Sequence, residues 1–113
     1  MENCLFCKII AGEIPAKKMY EDQNMIIICD IDPKAKNHYL CIPKSHFKLL
    51  ADMDEKQSEM LKACFEKIPT LKEELHLENG YRLVINQGDD AGQTVFHLHI
   101  HILSGQKMGW TPA

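Results

Sequence analysis

Three histidines alternate with apolar residues in the segment 96–102, which reads Phe-His-Leu-His-Ile-His-Ile. Successive side chains of a β-strand point to opposite faces, so a strand here puts His97, His99 and His101 on one face. Imidazole changes charge near neutral pH and serves as base, acid, nucleophile or metal ligand. Because each buried ring also needs a hydrogen-bond partner, this run indicates a chemical site rather than ordinary packing.

The loop that leads into this segment has the composition of an anion-binding loop. Residues 86–94 read Asn-Gln-Gly-Asp-Asp-Ala-Gly-Gln-Thr, and glycines with polar side chains can bind phosphate without net charge. A neutral histidine can attack phosphorus when its other nitrogen is held as a donor. The middle histidine has a helper on each side. We therefore expect His99 to be the nucleophile, while His101 and loop donors stabilise the transferred group.

A second constellation is the Cys4-x-x-Cys7 spacing near the start of the chain. Two cysteines at this spacing form half of a tetrahedral zinc site, which two histidines elsewhere would complete. A redox role would need a thioredoxin-like βαβ context, which the sequence lacks. A pair of buried thiols on an apolar helix is the alternative that these residues leave open.

Length and composition restrict the class of protein. The chain has 113 residues and a net charge of −3 with acids and bases interspersed, which predicts one domain, 1–113, that binds neither nucleic acid nor membrane. Its five cysteines are an odd number and do not suggest a disulfide framework. The N-terminus does not resemble a signal peptide, and no apolar stretch approaches the roughly 20 residues of a membrane span. We therefore expect a cytoplasmic protein.

Hydrophobic periodicity predicts an α+β fold. The pattern indicates a short helix over 4–11 and five strands, over 19–21, 25–29, 38–42, 81–86 and 96–102. Apolar residues between Met60 and Leu75 recur at helical spacing, which predicts one long helix that Pro69 kinks or splits. Asp52 and Glu55 form a capping-box-like start for that helix. We expect an antiparallel five-stranded sheet with the long helix on one face.

At these residues the chain resembles the histidine triad (HIT) superfamily, whose mark is His-Φ-His-Φ-His-Φ-Φ with Φ apolar. Residues 97–103 match this motif in full. Other segments resemble the Hint branch, including 6–10, 13–17, 20–22, 30–31, 42–46 and 92–97, together with His38. The tail 106–112 is also similar to that branch, whereas the Fhit dinucleotide hydrolases resemble it less. The galactose-1-phosphate uridylyltransferases have glutamine at the position of His101.

The resemblance implies a HIT-like fold and a homodimer whose two sheets join into one. It implies a purine nucleoside phosphoramidase, a hydrolase that converts AMP-amine or AMP-lysine compounds to nucleoside monophosphate and amine. The intermediate would be a nucleotide bound covalently to His99, and His38 would join His97 in a proton relay behind it. No organic cofactor is implied.

The resemblance also implies which residues bind the nucleotide. Asp30 would bind the ribose hydroxyls, and Trp110 of the partner subunit would help to shape the site. The base would lie among apolar residues, namely Leu5, Phe6, Ile9, Ile28 and Ile31. The phosphate would be held by Asn86, Gly92, Gln93, Thr94, His99 and His101. Thr94 stands where serine is more usual in the family.

Bacterial-type members of the branch carry a structural zinc. Their ligands correspond here to Cys4, Cys7, His46 and His97, so the resemblance and the Cys-x-x-Cys spacing lead to one ligand set. Two alternatives to a phosphoramidase stay open at this point. One is a metal-dependent enzyme in which His97, His99 and His101 jointly hold zinc or iron. The other is a non-catalytic purine nucleotide sensor or interaction module.

Overall fold

Five antiparallel strands form the centre of the computed structural model, which describes residues 3–109 and so leaves Trp110 outside the described residues. In chain order the helices and strands are α1 (Leu5–Ile10), β1 (Lys18–Glu21), β2 (Met25–Cys29), β3 (Asn37–Pro43), α2 (Glu55–Lys67), β4 (Tyr81–Val84) and β5 (Ile100–Ser104). The strand order in the sheet is β1-β2-β3-β5-β4. The predicted α+β fold, with a five-stranded sheet, one long helix and one short helix, is confirmed.

The two faces of the sheet bury two separate apolar clusters. On one face, Leu61 and Cys64 of α2 pack in a cluster with strand residues such as Ile27 and Ile100. On the other face, Phe6 of α1 belongs to a cluster built on the alternate residues of β2 and β3. Because strand side chains alternate, one sheet supports α2 on one side and α1 with the histidines on the other.

The long helix begins and ends at different residues from those predicted. Asp54, not Asp52, caps it: the Asp54 carboxylate accepts from the Gln57 N–H at 2.8 Å, and the Gln57 side chain accepts from the Asp54 N–H at 3.0 Å. The α-helix stops at Lys67 and continues as a 3-10 turn that contains Pro69, because proline has no N–H to donate. With 13 residues, α2 is too short to cross a membrane, and no other helix within 3–109 is long and apolar enough.

The histidine strand is shorter than predicted. β5 begins at Ile100, so His101 lies in the strand while His97 and His99 precede it. The reason is that β3 ends at Pro43, and the Leu98 N–H bonds instead to the carbonyl of Phe47 at 2.7 Å. Side-chain alternation nevertheless continues through this segment, because the apolar row is fully buried on the α2 face; its members are Leu98, Ile100 and Ile102. β4 also ends earlier than predicted, at Val84.

Candidate active site

A pocket of about 240 Å³ collects polar groups from the connection between β2 and β3, from the loop after β4, and from the histidine segment. It is lined by Asp30, Asp32, Lys34, His38, Asn86, Gly92, Thr94, His99 and His101. Sequence reasoning missed Asp32 and Lys34. Their position directly after Asp30, in a polar run interrupted by a proline, is the signal that could have found them.

The ring of His99 is oriented by its own segment. Its Nδ1 lies 2.8 Å from the carbonyl oxygen of His97, and a carbonyl can only accept, so we assign the proton to Nδ1. The neutral ring then has its lone pair on Nε2. Phe6 packs edge-on against the ring with 5.0 Å between the ring centres. His99 therefore lines the pocket with one nitrogen bound and the other available for reaction.

His38 and His101 form a directed hydrogen-bond pair. The Lys34 backbone N–H donates to His38 Nδ1 at 3.0 Å, so the proton of neutral His38 lies on Nε2. That nitrogen is 2.9 Å from His101 Nδ1 and 3.4 Å from an Asp30 carboxylate oxygen. His101 Nδ1 therefore accepts, and its Nε2 carries a proton 3.5 Å from the Asn86 amide nitrogen. Two N–H donors at this separation can bind the same phosphate.

Burial keeps the three rings of the pocket neutral. It lowers the pKa of His99, although the hydrogen bond to the His97 carbonyl opposes the shift. Burial, followed by the charges of His99 and His38, lowers the pKa of His101 to about 4. Burial also lowers the pKa of His38, against the opposing charge of Asp30. At neutral pH, His99 thus keeps its lone pair and His101 keeps a single proton to donate.

The loop before the histidine segment is braced by Gln93. Gly88 and Gly92 have φ angles of +85° and +83°, a region that other residues rarely adopt. The buried Gln93 side chain accepts from the Gly88 N–H at 2.8 Å and donates to the carbonyls of Lys48 and Val95 at 3.1 and 3.3 Å. The sequence predicts Gln93 as a phosphate ligand, but its amide is committed to the backbone. Gln93 therefore shapes the loop from behind.

The five apolar residues predicted to enclose a base are divided between core and surface. Phe6, Ile9 and Ile28 are buried in the cluster beneath α1. Leu5 and Ile31 are exposed, Ile31 completely. The lining of the pocket, within the described residues, includes none of the five. The two exposed side chains are thus the ones that a base outside the pocket can contact directly.

His97 does not join His38 in a proton relay, contrary to the expectation. Its ring Nε2–H donates to the carbonyl of Pro43 at 2.7 Å, and its Nδ1 lies 3.6 and 3.5 Å from the sulfurs of Cys4 and Cys7. The chain bends at 95–97, which turns this ring toward α1. Both nitrogens of His97 are therefore engaged away from His38.

The four residues predicted as zinc ligands converge at the start of α1. The ligand atoms of Cys4, Cys7, His46 and His97 all lie within 4.8 Å of one another. Tetrahedral zinc, with bonds of about 2.3 Å to sulfur and 2.0–2.1 Å to nitrogen, separates sulfur from nitrogen by about 3.5 Å. The sulfur–nitrogen distances here run from 3.2 to 3.6 Å. The donor set and its spacing fit zinc.

The protonation of these groups also suits a metal. The carbonyl of Pro43 fixes the proton of His97 on Nε2, so the lone pair of Nδ1 points to the thiols. Burial, and then the neighbouring Cys4, raise the pKa of Cys7 to about 11. At neutral pH this thiol therefore gives up its proton to a bound cation rather than to solvent.

The triad histidines do not converge on a metal of their own. Within residues 3–109, His97 groups with the cysteines and His101 groups with Asp30 and His38, while His99 belongs to neither set. The rings of His38 and His101 have centres 5.1 Å apart and nitrogens 2.9 Å apart, so the two nitrogens point at each other. A metal between them would need bonds of about 2 Å to each. A shared proton fits this spacing, and a catalytic tri-histidine metal does not.

Comparison with known proteins agrees with this arrangement. Residues 3–111 match the family described as "Scavenger mRNA decapping enzyme C-term binding". Protein HitA of Neisseria gonorrhoeae is 46% identical over 103 residues, which cover 91% of this chain and 96% of that protein. A HIT family hydrolase from Legionella pneumophila Philadelphia 1 has a TM-score of 0.90 and 44% identity, covering 98% of this chain and 100% of that chain.

A metal-bound structure is also similar. A Zn-bound histidine triad family protein from Mycobacterium smegmatis has a TM-score of 0.79 and 37% identity, covering 96% of this chain and 81% of that chain. These similarities extend over nearly the whole sequence and include the complete His-Φ-His-Φ-His-Φ-Φ motif. The chain belongs to the histidine triad (HIT) family.

Proposed function

We propose that this protein is a purine nucleoside phosphoramidase that forms a covalent intermediate on His99. One observation carries the proposal: the neutral His99 ring is bound at Nδ1 and leaves Nε2 free beside two N–H donors, on His101 and Asn86. A nucleophile next to donors for the transferred group is what phosphoryl chemistry requires. The similar Legionella pneumophila protein is a HIT family hydrolase, which supports the hydrolase class.

The reaction proceeds in two displacements. His99 Nε2 forms a bond to phosphorus while the phosphorus–nitrogen bond breaks, and the leaving nitrogen departs as an amine after protonation. Water then attacks the nucleotidyl-histidine, which releases nucleoside monophosphate and restores the neutral ring. In both steps His101 Nε2–H and the Asn86 amide stabilise the charge on the phosphoryl oxygens. Asp30, at the edge of the pocket, is placed to accept hydrogen bonds from ribose hydroxyls.

Zinc at Cys4, Cys7, His46 and His97 would have a structural role. Bound there, it would link α1 to the segment after β3 and to the start of the histidine segment. The chemistry that zinc supplies is a cross-link in a chain of reduced cysteines, since the five cysteines are free. The Zn-bound relative from Mycobacterium smegmatis supports this assignment.

We also propose that the protein is a homodimer. β1 and β4 are the edges of the sheet, and an unpaired edge can accept another strand. Trp110 of the partner subunit would complete each site, and it is the only tryptophan in the sequence. Sedimentation gives the oligomeric state. A change in tryptophan fluorescence on adding AMP would support a contribution of this residue to the site.

Intact-protein mass spectrometry during turnover of adenosine 5′-phosphoramidate tests the mechanism. Wild type is expected to show a transient, acid-labile AMP adduct, and His99→Ala none. Turnover by His99→Ala should fall on the order of 10⁴-fold or more, because it removes the nucleophile, while AMP binding persists. His76→Ala changes an exposed histidine and serves as the matched control. AMP binding without turnover or adduct in wild type would favour the nucleotide-sensor alternative.

A further inference from the structure

His97 connects the metal ligands directly to the nucleophile. Its ring Nδ1 lies 3.5 Å from the Cys7 sulfur, and its backbone carbonyl accepts the Nδ1–H of His99 at 2.8 Å. Its ring Nε2–H is tied to the carbonyl of Pro43 at 2.7 Å. Because this one residue is fixed at three points, a shift of its ring toward or away from the cysteines also shifts the carbonyl that orients His99.

Phe6 provides a second connection. It lies between Cys4 and Cys7 on α1, and its ring meets the His99 ring edge-on at an interplanar angle of 85°. A contact of this kind restricts the orientation of both rings. α1 has only six residues, far below the length at which an isolated helix is stable in water. Its position therefore depends on its attachments, and the two cysteine ligands flank Phe6 closely.

We propose that the metal site orients the nucleophile in addition to stabilising the fold, with Phe6 and the carbonyl of His97 as positioning groups. Loss of the metal frees α1, removes the edge contact of Phe6, and weakens the hydrogen bond that holds the proton on His99 Nδ1. The kinetic part of this inference rests on the proposed phosphoramidase function, whereas its spectroscopic part does not. A purely structural metal would leave the His99 ring unchanged in any protein that stays folded.

The first test compares the zinc-loaded full chain with chelator-treated protein and with Cys7→Ser, all below their melting temperatures. Nitrogen–proton NMR of the imidazoles reports which His99 nitrogen carries the proton, and hydrogen exchange reports on residues 4–11. Loaded protein is expected to show one Nδ1–H tautomer and slow exchange. Metal-free protein should show averaged His99 signals and fast exchange, both reversed by added Zn²⁺. Cys29→Ser changes a cysteine outside the ligand set and should keep the loaded spectrum.

A second variant, Phe6→Leu, separates ring orientation from metal content because it keeps all four ligands. It should retain one zinc per chain and bind AMP within about threefold of wild type, while kcat falls about 10- to 100-fold, the usual cost of removing a supporting contact. Phe65→Leu is the matched control, since Phe65 lies exposed on α2. A raised Kd for AMP with unchanged kcat would overturn the assignment of Phe6.

The remaining outcomes also decide the question. Folded metal-free protein with the loaded His99 spectrum would overturn the proposal, and so would wild-type protein that takes up no zinc. If metal-free protein unfolds, Phe6→Leu decides alone, and wild-type His99 signals in that variant would count against us. Wild type that hydrolyses no phosphoramidate would contradict the proposed function but leave the NMR comparison in force, so the two failures are distinguishable.

Discussion

His97 and His101 each lie two residues from His99, yet their surroundings give them different chemistry. His97 is fully buried, with its ring between two thiols and a backbone carbonyl. His101 is half-buried at the edge of the pocket, with its ring between His38 and Asn86. Soft sulfur partners suit a metal, whereas nitrogen and oxygen partners suit proton sharing.

The difference teaches that distant segments, and not the spacing of the triad, assign the roles. α1 brings sulfur to His97, and β3 brings an imidazole to His101. His38 pairs with Leu103 and Leu40 pairs with His101 across the two strands, which makes His38 and His101 diagonal neighbours on one face. One end of the triad is thus built to anchor the fold, and the other to donate a proton.

The largest effect is expected at the proton-donating end. His101→Ala should lower kcat about 10²- to 10³-fold, because it removes a donor to the developing charge, and AMP affinity should change less. His38→Ala should cost less, since His38 acts through His101. The double variant should be no slower than His101→Ala alone. Single-turnover kinetics measure all three, and additive losses would show that His38 has an independent role.

The anchoring end should dominate stability. Cys4→Ser combined with Cys7→Ser removes two ligands and should lower the melting temperature by about 10 °C or more, since 1 kcal/mol corresponds to about 4–8 °C in a domain of this size. Elemental analysis should show the loss of zinc in the same variant. Cys29→Ser is the control. An unchanged melting curve, with no metal in wild type, would remove the distinction between the two ends.

Acid should destabilise the protein through the proton-donating end. An unfolded histidine takes up a proton near pH 6.5, whereas burial lowers the pKa of folded His101 to about 4. Between these values the unfolded state holds more protons, so the free energy of unfolding falls as the pH drops. Partial solvation of the ring limits this loss to about 1–2 kcal/mol.

Thermal melting between pH 7 and 4 measures this loss. His101→Asn should flatten the dependence, because asparagine does not titrate. His76→Asn should leave it unchanged, since His76 is exposed and its φ of +57° is one that asparagine tolerates. Equal slopes for wild type and His101→Asn would assign the acid sensitivity to other groups.

Local patterns in the sequence predict the fold well. Alternation predicts which residues of the histidine segment are buried, because it depends only on strand geometry. The start of α2 is harder: Asp52 and Asp54 each have a suitable residue three positions later, and only the folded chain shows that Asp54 is used. The length of β5 also escapes the sequence, since it depends on where the partner strand ends at Pro43.

The site divides in the same way. The Cys-x-x-Cys spacing predicts a metal half-site, and the resemblance supplies the two histidines that meet it in the structure. The partner of His38 could not be predicted, because it depends on the register between β3 and β5. The side-chain role of Gln93 could not be predicted either, since its hydrogen-bond partners include the distant carbonyl of Lys48.

The smallest effects should come from the charged pair at the mouth of the pocket. Lys34 Nζ lies 2.6 Å from an Asp32 carboxylate oxygen, and both side chains are largely exposed. Exposed ion pairs contribute about 0–1 kcal/mol to stability, so neither Lys34→Ala nor Asp32→Asn should shift the melting temperature by more than a few degrees.

The two substitutions should instead have opposite effects on an anionic substrate. Lys34→Ala leaves Asp32 uncompensated and should raise KM, whereas Asp32→Asn leaves the lysine charge uncompensated and should lower KM, each within about threefold in low salt. The Lys34 backbone N–H that orients His38 is retained in both variants, so kcat should be unchanged. Shifts of KM in the same direction would mean that Lys34 or Asp32 contacts the substrate itself. The pair would then belong to the binding site rather than to its surroundings.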